Sequence, residues 1–173
     1  MEQSSQRKKA PHVLIFPLPA QGHINCMLKL ARLLCLSNFR VTFLNSEYNH
    51  ERLHRCTDIS SHAAQNWPGF RFASISDGLP PDNPRGADQL IELFVSLKLK
   101  TKPLFKEMLI KYRESGDPVT CIIGDGITTF TIDVADELEI PIFSFRTVSA
   151  CSFWSYFRIP QLVEAGELPF GGT

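Results

Sequence analysis

Five short apolar runs alternate with segments of helical periodicity along this chain. The runs cover residues 12–16, 40–45, 70–75, 120–123 and 140–145. Each is too short for a helix, and the first is apolar almost throughout, which is typical of a strand buried on both faces. Strands that alternate with helices form βαβ units with right-handed crossovers. The sequence therefore predicts an α/β fold built on a parallel sheet with flanking helices.

Apolar residues three and four positions apart mark the predicted helices. The first begins at about residue 25 and buries Met27, Leu30, Ala31 and Leu34. Others cover residues 48–55, 87–113 (apolar face Leu90, Phe94, Leu97, Leu104 and Met108), 129–138 and 149–168, the last divided by Pro160. Residues 58–68 show no periodicity. Pro103 lacks a backbone donor and clashes with the preceding turn, so we expect a kink or break there.

Composition limits the function. With 173 residues and 43% hydrophobic side chains, the chain is large enough for a sizeable core. Its 18 Lys and Arg balance 18 Asp and Glu, which argues against a broad basic surface for nucleic acid or anionic membrane. No run approaches the roughly 18 apolar residues of a membrane span. We therefore expect neither nucleic-acid binding nor membrane insertion.

The five cysteines are widely spaced and form no C-x-x-C motif or Cys/His cluster. They are Cys26, Cys35, Cys56, Cys121 and Cys151. The chain also contains no N-x-S/T glycosylation acceptor. These features predict a reduced, cytoplasmic protein without a metal site.

Three loops follow the first, fourth and fifth predicted strands. In a parallel sheet, such loops leave the carboxyl ends of the strands, where ligands bind. His23, Asp125 and Thr147 lie in these loops, and we expect them to converge. A carboxylate that fixes one imidazole nitrogen makes the other a good general base near neutral pH. The competing interpretations are that His23 caps a helix or satisfies a buried backbone group, and that Asp125 is a turn former or N-cap.

Five blocks carry a family resemblance. They are HVLIFPLPAQGHIN (12–25), VTFLNSEYNHERL (41–53), SDGLPPDNPR (76–85), CIIGDG (121–126) and IPIFSFRTVSACSFW (140–154). In this order, over nearly the whole chain, they resemble the N-terminal, acceptor-binding region of the plant family 1 UDP-glycosyltransferases. Members of this family glucosylate small metabolites, iridoids and terpenoids among them. The resemblance implies the Rossmann-like N-terminal domain of a GT-B glycosyltransferase.

The same resemblance assigns roles to individual residues. His23 matches the base that deprotonates the acceptor hydroxyl, Asp125 the carboxylate that orients it, and Thr147 a position that contacts the donor sugar. The acceptor-binding candidates are Gln21, Gly22, Ser149, Phe153 and Phe94. UDP-glucose would be a co-substrate, with no metal and no other cofactor, and glucose would be transferred with inversion. For Phe94 and Phe153, core packing is the competing interpretation, since aromatics at helical spacing usually belong to the core.

The resemblance also predicts the domain organisation. We expect a flexible tail over residues 1–11 and an incomplete acceptor-binding domain over residues 12–173, with the C-terminal UDP-sugar-binding domain absent. The chain lacks the family's second-domain signature, G-x-G-x-x-G and the P-loop motif. The chain alone is therefore expected to be an inactive fragment that can self-associate through an exposed sheet edge. The alternative is a non-catalytic truncated protein that binds a small hydrophobic ligand or a partner chain.

Overall fold

The computed structural model describes residues 10–169, in which five strands form one parallel sheet. The strands are β1 (His12–Phe16), β2 (Arg40–Ser46), β3 (Phe70–Ile75), β4 (Cys121–Asp125) and β5 (Ile142–Phe145), in the spatial order β3-β2-β1-β4-β5. The predicted α/β fold with a parallel sheet is confirmed. Most of the predicted N-terminal tail, residues 1–9, and residues 170–173 lie outside the described residues.

Eight α-helices lie within residues 10–169. They are α1 (Gln21–Leu36), α2 (Glu47–Cys56), α3 (Ile59–Asn66), α4 (Leu90–Ser96), α5 (Lys102–Glu114), α6 (Phe130–Glu137), α7 (Ala150–Tyr156) and α8 (Ile159–Glu164). A 3-10 turn (Ala87–Gln89) precedes α4, and a π-helical segment (Leu97–Thr101) joins α4 to α5. As predicted, the last helical region is divided, with Pro160 in the first turn of α8.

The strand order reverses at β1. The chain runs from β1 outward through β2 to β3, and then returns to the other side of β1 with β4 and β5. All five residues of β1 are buried, as its continuous apolar sequence predicts. The loops after β1 and β4 therefore leave the sheet in opposite directions, which opens a crevice at the carboxyl ends of these two strands.

Each face of the sheet carries its own apolar core. One core packs β1, β2 and β4 against α4, α5 and α6, with Phe16, Phe105 and Phe130 in mutual aromatic contact at centroid distances of 5.5–5.9 Å. The other packs the opposite face against α1 and α3 through Met27 and Trp67. The alternation of side chains along each strand supplies both cores at once.

The first helix begins at Gln21, earlier than predicted. Residues 21–23 are Gln, Gly and His, which give no apolar signal, so the periodicity becomes visible only from Ile24. Ala20 is extended, and its carbonyl accepts the first helical hydrogen bond from Ile24 N at 3.0 Å. The correction places His23 in the first turn of α1, not in the loop before it.

Residues 58–68, which lack periodicity, contain helix α3. It is short and mostly polar, and only Ala63 is buried, so hydrophobic spacing could not reveal it. The buried Trp67 follows directly and packs edge-on against Phe70, with centroids 5.0 Å apart. Tertiary packing therefore supports α3 where local sequence gives little signal.

The long helical region buries a face offset by one residue from the predicted one. Leu97 is buried as predicted, Phe94 and Met108 are half-buried, and Leu90 and Leu104 are exposed. The other buried positions are Leu93, Ser96, Thr101, Phe105 and Leu109. A strict spacing of four residues drifts around an α-helix, and the wider π turn restores the face. Lys102 N donates to Leu97 O, five residues earlier. The irregularity thus precedes Pro103, which lies in the first turn of α5.

The buried face can be tested by comparing two neighbouring residues. Phe105→Ala removes a fully buried ring from the aromatic cluster and should lower the free energy of unfolding by about 3–5 kcal/mol. Leu104→Ala truncates a side chain that is 41% exposed and should change it by less than about 0.5 kcal/mol. Urea unfolding followed by circular dichroism measures both. Equal losses would contradict the offset face.

A polar cluster lies at the amino-terminal ends of β1 and β2, opposite the carboxyl ends of the strands. The buried His12 ring contacts Thr42 Oγ1 through Nε2 at 2.8 Å and the Asp117 carbonyl through Nδ1 at 3.2 Å. Arg40 and Arg71 both pair with the Asp117 carboxylate. The Arg40 side chain also donates to the carbonyl of Ala10 at 3.0 Å, although residue 10 belongs to the predicted tail. Burial lowers the pKa of His12, helped by the two guanidinium groups and opposed by Asp117.

This lowered pKa of His12 predicts a pH-dependent stability. The unfolded chain binds a proton near the ordinary value of 6.5, whereas the folded chain binds it only at lower pH. The stabilising contribution is therefore complete above pH 6.5 and is lost as the pH falls below it. In urea unfolding on either side of this pH, His12→Gln should lose less stability on acidification than the parent. His62→Gln, at an exposed position, should behave like the parent. Identical losses for parent and His12→Gln would contradict the account.

The edge strand β5 leaves apolar side chains uncovered. It pairs with β4, and no second neighbouring strand lies among the described residues. Phe143 is 66% exposed, and Trp154, Phe157 and Val163 of the following segment are also exposed. Self-association through this edge stays a prediction. Within residues 10–169, no helix has both the length and the apolar character to cross a bilayer.

Candidate functional site

The candidate site lies at the crevice between the carboxyl ends of β1 and β4. Three segments meet there: the loop after β1 with the first turn of α1, the end of β4, and the residues that follow β5. They bring His23 together with Asp125 and Thr147, each of which is more than 100 residues from His23 in the sequence. The predicted convergence of these three residues is confirmed.

Asp125 is the fixed member of the site. It is the last residue of β4 and is buried. Its Oδ2 accepts from Leu18 N at 3.3 Å, and its Oδ1 accepts from Ile127 N at 3.1 Å. Its own carbonyl accepts from the Thr128 hydroxyl at 2.9 Å. Backbone groups on both sides of the crevice therefore hold the carboxyl group in place independently of His23.

His23 points its Nδ1 at this carboxyl group. Nδ1 lies 2.6 Å from Asp125 Oδ2 and 2.8 Å from Thr147 Oγ1. The His23 side chain is 21% exposed, while that of Asp125 is 1% exposed. The imidazole thus bridges a buried carboxyl group and the open crevice.

The arrangement determines which nitrogen can act as a base. A carboxylate only accepts hydrogen bonds, so contact with Asp125 places the imidazole proton on Nδ1. This leaves the lone pair on Nε2, which makes no hydrogen bond within residues 10–169. A proton taken up at Nε2 would form an imidazolium ion that the buried carboxylate stabilises. The geometry therefore suits general-base chemistry.

Thr147 lies two residues beyond the end of β5 and is half-buried. Its hydroxyl contacts the imidazole. The role suggested by the resemblance, contact with a donor sugar, stays a prediction. The neighbouring Ser149 accepts from Ser152 N at 3.1 Å and caps α7, so its hydroxyl already has a structural partner.

The larger cavity beside the site has a volume of about 490 Å³. Gln21 and Ile24, on either side of His23 in sequence, line one wall, and α2 and the segment before α4 line the others. Leu90 and Leu93 close it with apolar side chains. The volume is within the range typical of small-molecule sites. Of the predicted acceptor-binding residues, Gln21 lines this cavity.

A buried ion pair shapes the loop above this cavity. The Arg85 guanidinium donates to both oxygens of Asp77 at 3.0 and 3.2 Å, and both side chains are almost fully buried. Arg85 has a positive φ of 54° and stacks over the Tyr48 ring at 4.4 Å. No sequence pattern indicated this pair, because an ion pair between two loop residues leaves no periodic signal.

A second cavity of about 320 Å³ lies between α4 and the loop after β4. Phe94, Leu97 and Lys98 face Ile127 and the residues that follow it. Phe94 is half-buried and also packs against the core, so its position is compatible with both acceptor contact and core packing. Helix α4 therefore forms part of the wall of both cavities.

The remaining acceptor candidates have different surroundings. Gly22 is exposed, and nothing lies within 4 Å of a Cβ added there, so packing does not require glycine. Phe153 is half-buried and contacts Phe157 at 5.1 Å and the Arg146 guanidinium at 5.1 Å. Neither residue lines the two cavities. Acceptor contact by either stays a prediction.

The chain is similar in sequence to curated plant glycosyltransferases. The chain is 49% identical over 174 residues to 7-deoxyloganetic acid glucosyltransferase of Catharanthus roseus, covering 98% of this chain and 36% of that protein. It is 44% identical to UDP-glycosyltransferase 85A5 of Arabidopsis thaliana, covering 92% of this chain and 33% of that protein. It thus spans about a third of the length of the curated relatives it matches. No family model matches the chain.

Solved structures agree on the fold. A UDP-glucose:anthocyanidin 3-O-glucosyltransferase in complex with UDP superimposes with a TM-score of 0.71 at 26% identity, covering 91% of this chain and 34% of that one. Os79 of O. sativa, in complex with U2F and trichothecene, gives a TM-score of 0.66 at 23% identity, covering 85% and 32%. Over the third of their length that it spans, the chain is therefore similar in sequence and fold to plant UDP-glycosyltransferases.

Proposed function

We propose that this chain forms the acceptor-activating part of a UDP-sugar-dependent glucosyltransferase. The observation that carries the proposal is the contact of 2.6 Å between His23 Nδ1 and Asp125 Oδ2 at the edge of the sheet where ligands bind. The identity of the relatives as glucosyltransferases supports the reaction class.

In the proposed mechanism, His23 Nε2 takes the proton from an acceptor hydroxyl. Asp125 holds the imidazole in the required tautomer and stabilises the positive charge formed on it. The acceptor oxygen then forms a bond to the anomeric carbon of UDP-glucose while the bond from that carbon to UDP breaks on the opposite face. The product glucoside has inverted configuration, and UDP leaves with the bonding electron pair.

The acceptor is proposed to be a small hydrophobic plant metabolite, an iridoid or terpenoid. The largely apolar walls of the two cavities beside His23 and Asp125 support this size and character. The names of two relatives point the same way, since they act on 7-deoxyloganetic acid and 7-deoxyloganetin. We propose that Gln21 and Phe94 contact the acceptor, and that Gly22, Ser149 and Phe153 contribute to its binding.

Thr147 is proposed to contact the donor sugar, at the edge of the crevice. The solved relatives in complex with UDP support a nucleotide-sugar donor. We also propose that the reaction takes place in the cytoplasm, consistent with five cysteines that are all free. The mechanism uses no metal. Within the described part of the chain, no three His, Cys, Asp or Glu side chains are grouped to hold one.

A chimera tests the proposed function. Residues 1–173 replace the matching third of Catharanthus roseus 7-deoxyloganetic acid glucosyltransferase, and transfer from UDP-glucose is measured against an acceptor panel. The chimera should glucosylate a member of the panel, and His23→Ala should lower its rate by about 100- to 10,000-fold, because the base is lost. His54→Ala, at an exposed position of α2, is the matched control and should keep the parent rate.

Three outcomes decide the result. The 173-residue chain alone, assayed in parallel, should give no transfer, since of its residues only Thr147 is assigned to the donor. A folded chimera that binds acceptors without transferring sugar would favour the alternative of a non-catalytic binding protein. Full activity of His23→Ala would contradict the assignment of the base.

A further inference from the structure

Thr147 and Asp125 share one hydrogen-bonding partner but are held very differently. Both lie within 2.8 Å of His23 Nδ1, so the single N–H of that nitrogen serves two acceptors. Asp125 ends a strand that pairs on both sides and receives two backbone N–H groups. Thr147 lies beyond an edge strand. Its position on the imidazole therefore needs another restraint.

Arg146 supplies a contact at this point. Its Nη1 donates to the carbonyl of Gly126 at 2.8 Å, and its guanidinium lies over the Phe153 ring at 5.1 Å. In return, Gly126 N donates to the Phe145 carbonyl at 2.8 Å. Gly126, one residue after Asp125, is thus joined by two hydrogen bonds to Phe145 and Arg146, the two residues that precede Thr147.

The glycine on the other side of this contact leaves room for the arginine. A Cβ added at Gly126 would collide with Arg146 Cδ and would lie 2.8 Å from Nη1. Gly126 is not among the glycines with positive φ. Close approach of the arginine side chain, and not backbone conformation, therefore explains the lack of a side chain there.

We propose that Arg146 is a positioning residue of the site: it joins the segment after β5 to the segment after β4 and thereby keeps Thr147 Oγ1 on His23 Nδ1. The hydroxyl then accepts part of the Nδ1–H and adds to the preference for the tautomer with a free Nε2. The sequence assigned no role to Arg146, because the contact joins two loops and leaves no periodic pattern. The role of this tautomer in catalysis rests on the proposed function, whereas the contact between Arg146 and Gly126 does not depend on it.

The test reads the imidazole directly, without donor or acceptor. The chain is labelled with ¹⁵N-histidine, and the ratio of the Nδ1–H to the Nε2–H tautomer of the neutral His23 ring is measured by ¹H–¹⁵N correlation NMR. The His23→Gln spectrum assigns the signals among the five histidines. Thr147→Val, which removes the hydroxyl, should lower the ratio by about three- to tenfold, the effect of one ordinary hydrogen bond.

Arg146→Met keeps an unbranched apolar side chain and loses the guanidinium donor, so it should lower the ratio as much as Thr147→Val. The double variant should show no further loss, because both changes remove the same interaction. Arg146→Lys keeps a donor and should restore most of the ratio. The matched control is Arg158→Met: Arg158 lies over the Trp154 ring at 4.9 Å and donates to Gln161, away from the three site residues.

Gly126→Ala breaks the same contact from the other side, because the added Cβ collides with the Arg146 side chain, and it should also lower the ratio. This variant decides the test if Arg146→Met does not fold. An unchanged ratio in folded Arg146→Met or Gly126→Ala, or an equal loss in Arg158→Met, would overturn the proposal. A lowered tautomer ratio in these variants, together with an inactive chimera, would refute the proposed function but support the proposal that Arg146 is a positioning residue.

Discussion

The contact between His23 and Asp125 joins two parts of the chain that are 102 residues apart, and the fold makes it possible. β1 and β4 are neighbours at the point where the strand order reverses. One therefore ends next to the helix that carries His23, and the other ends in Asp125. A carboxyl group buried at this position needs donors, and backbone groups of Leu18 and Ile127 provide two of them. The imidazole is the third.

Much of this arrangement could be predicted from the sequence. The apolar runs give the five strands, and their alternation with helices gives the parallel sheet. The rule that ligands bind at carboxyl ends of strands then selects His23, Asp125 and Thr147 without any knowledge of side-chain positions. What local pattern cannot give is the start of α1, because Gln21, Gly22 and His23 carry no apolar signal.

The features that sequence reasoning missed depend on contacts between distant residues. The buried pair of Asp77 and Arg85 and the contact between Arg146 and Gly126 each join loop residues, which follow no period. The offset of the long helical face has a similar origin, since the π segment lies between Leu93 and Phe105, which belong to the same core. Tertiary packing decides these details, and propensity does not.

The central claim is that a buried carboxylate prepares His23 to take a proton from an acceptor. Its most direct test is the kcat of Asp125→Asn in the active chimera. The amide keeps the shape of the side chain but loses the charge that fixes the tautomer and stabilises the imidazolium ion. The account predicts a fall in kcat of about 100-fold or more, with the chain still folded. A kcat close to that of the parent would contradict it.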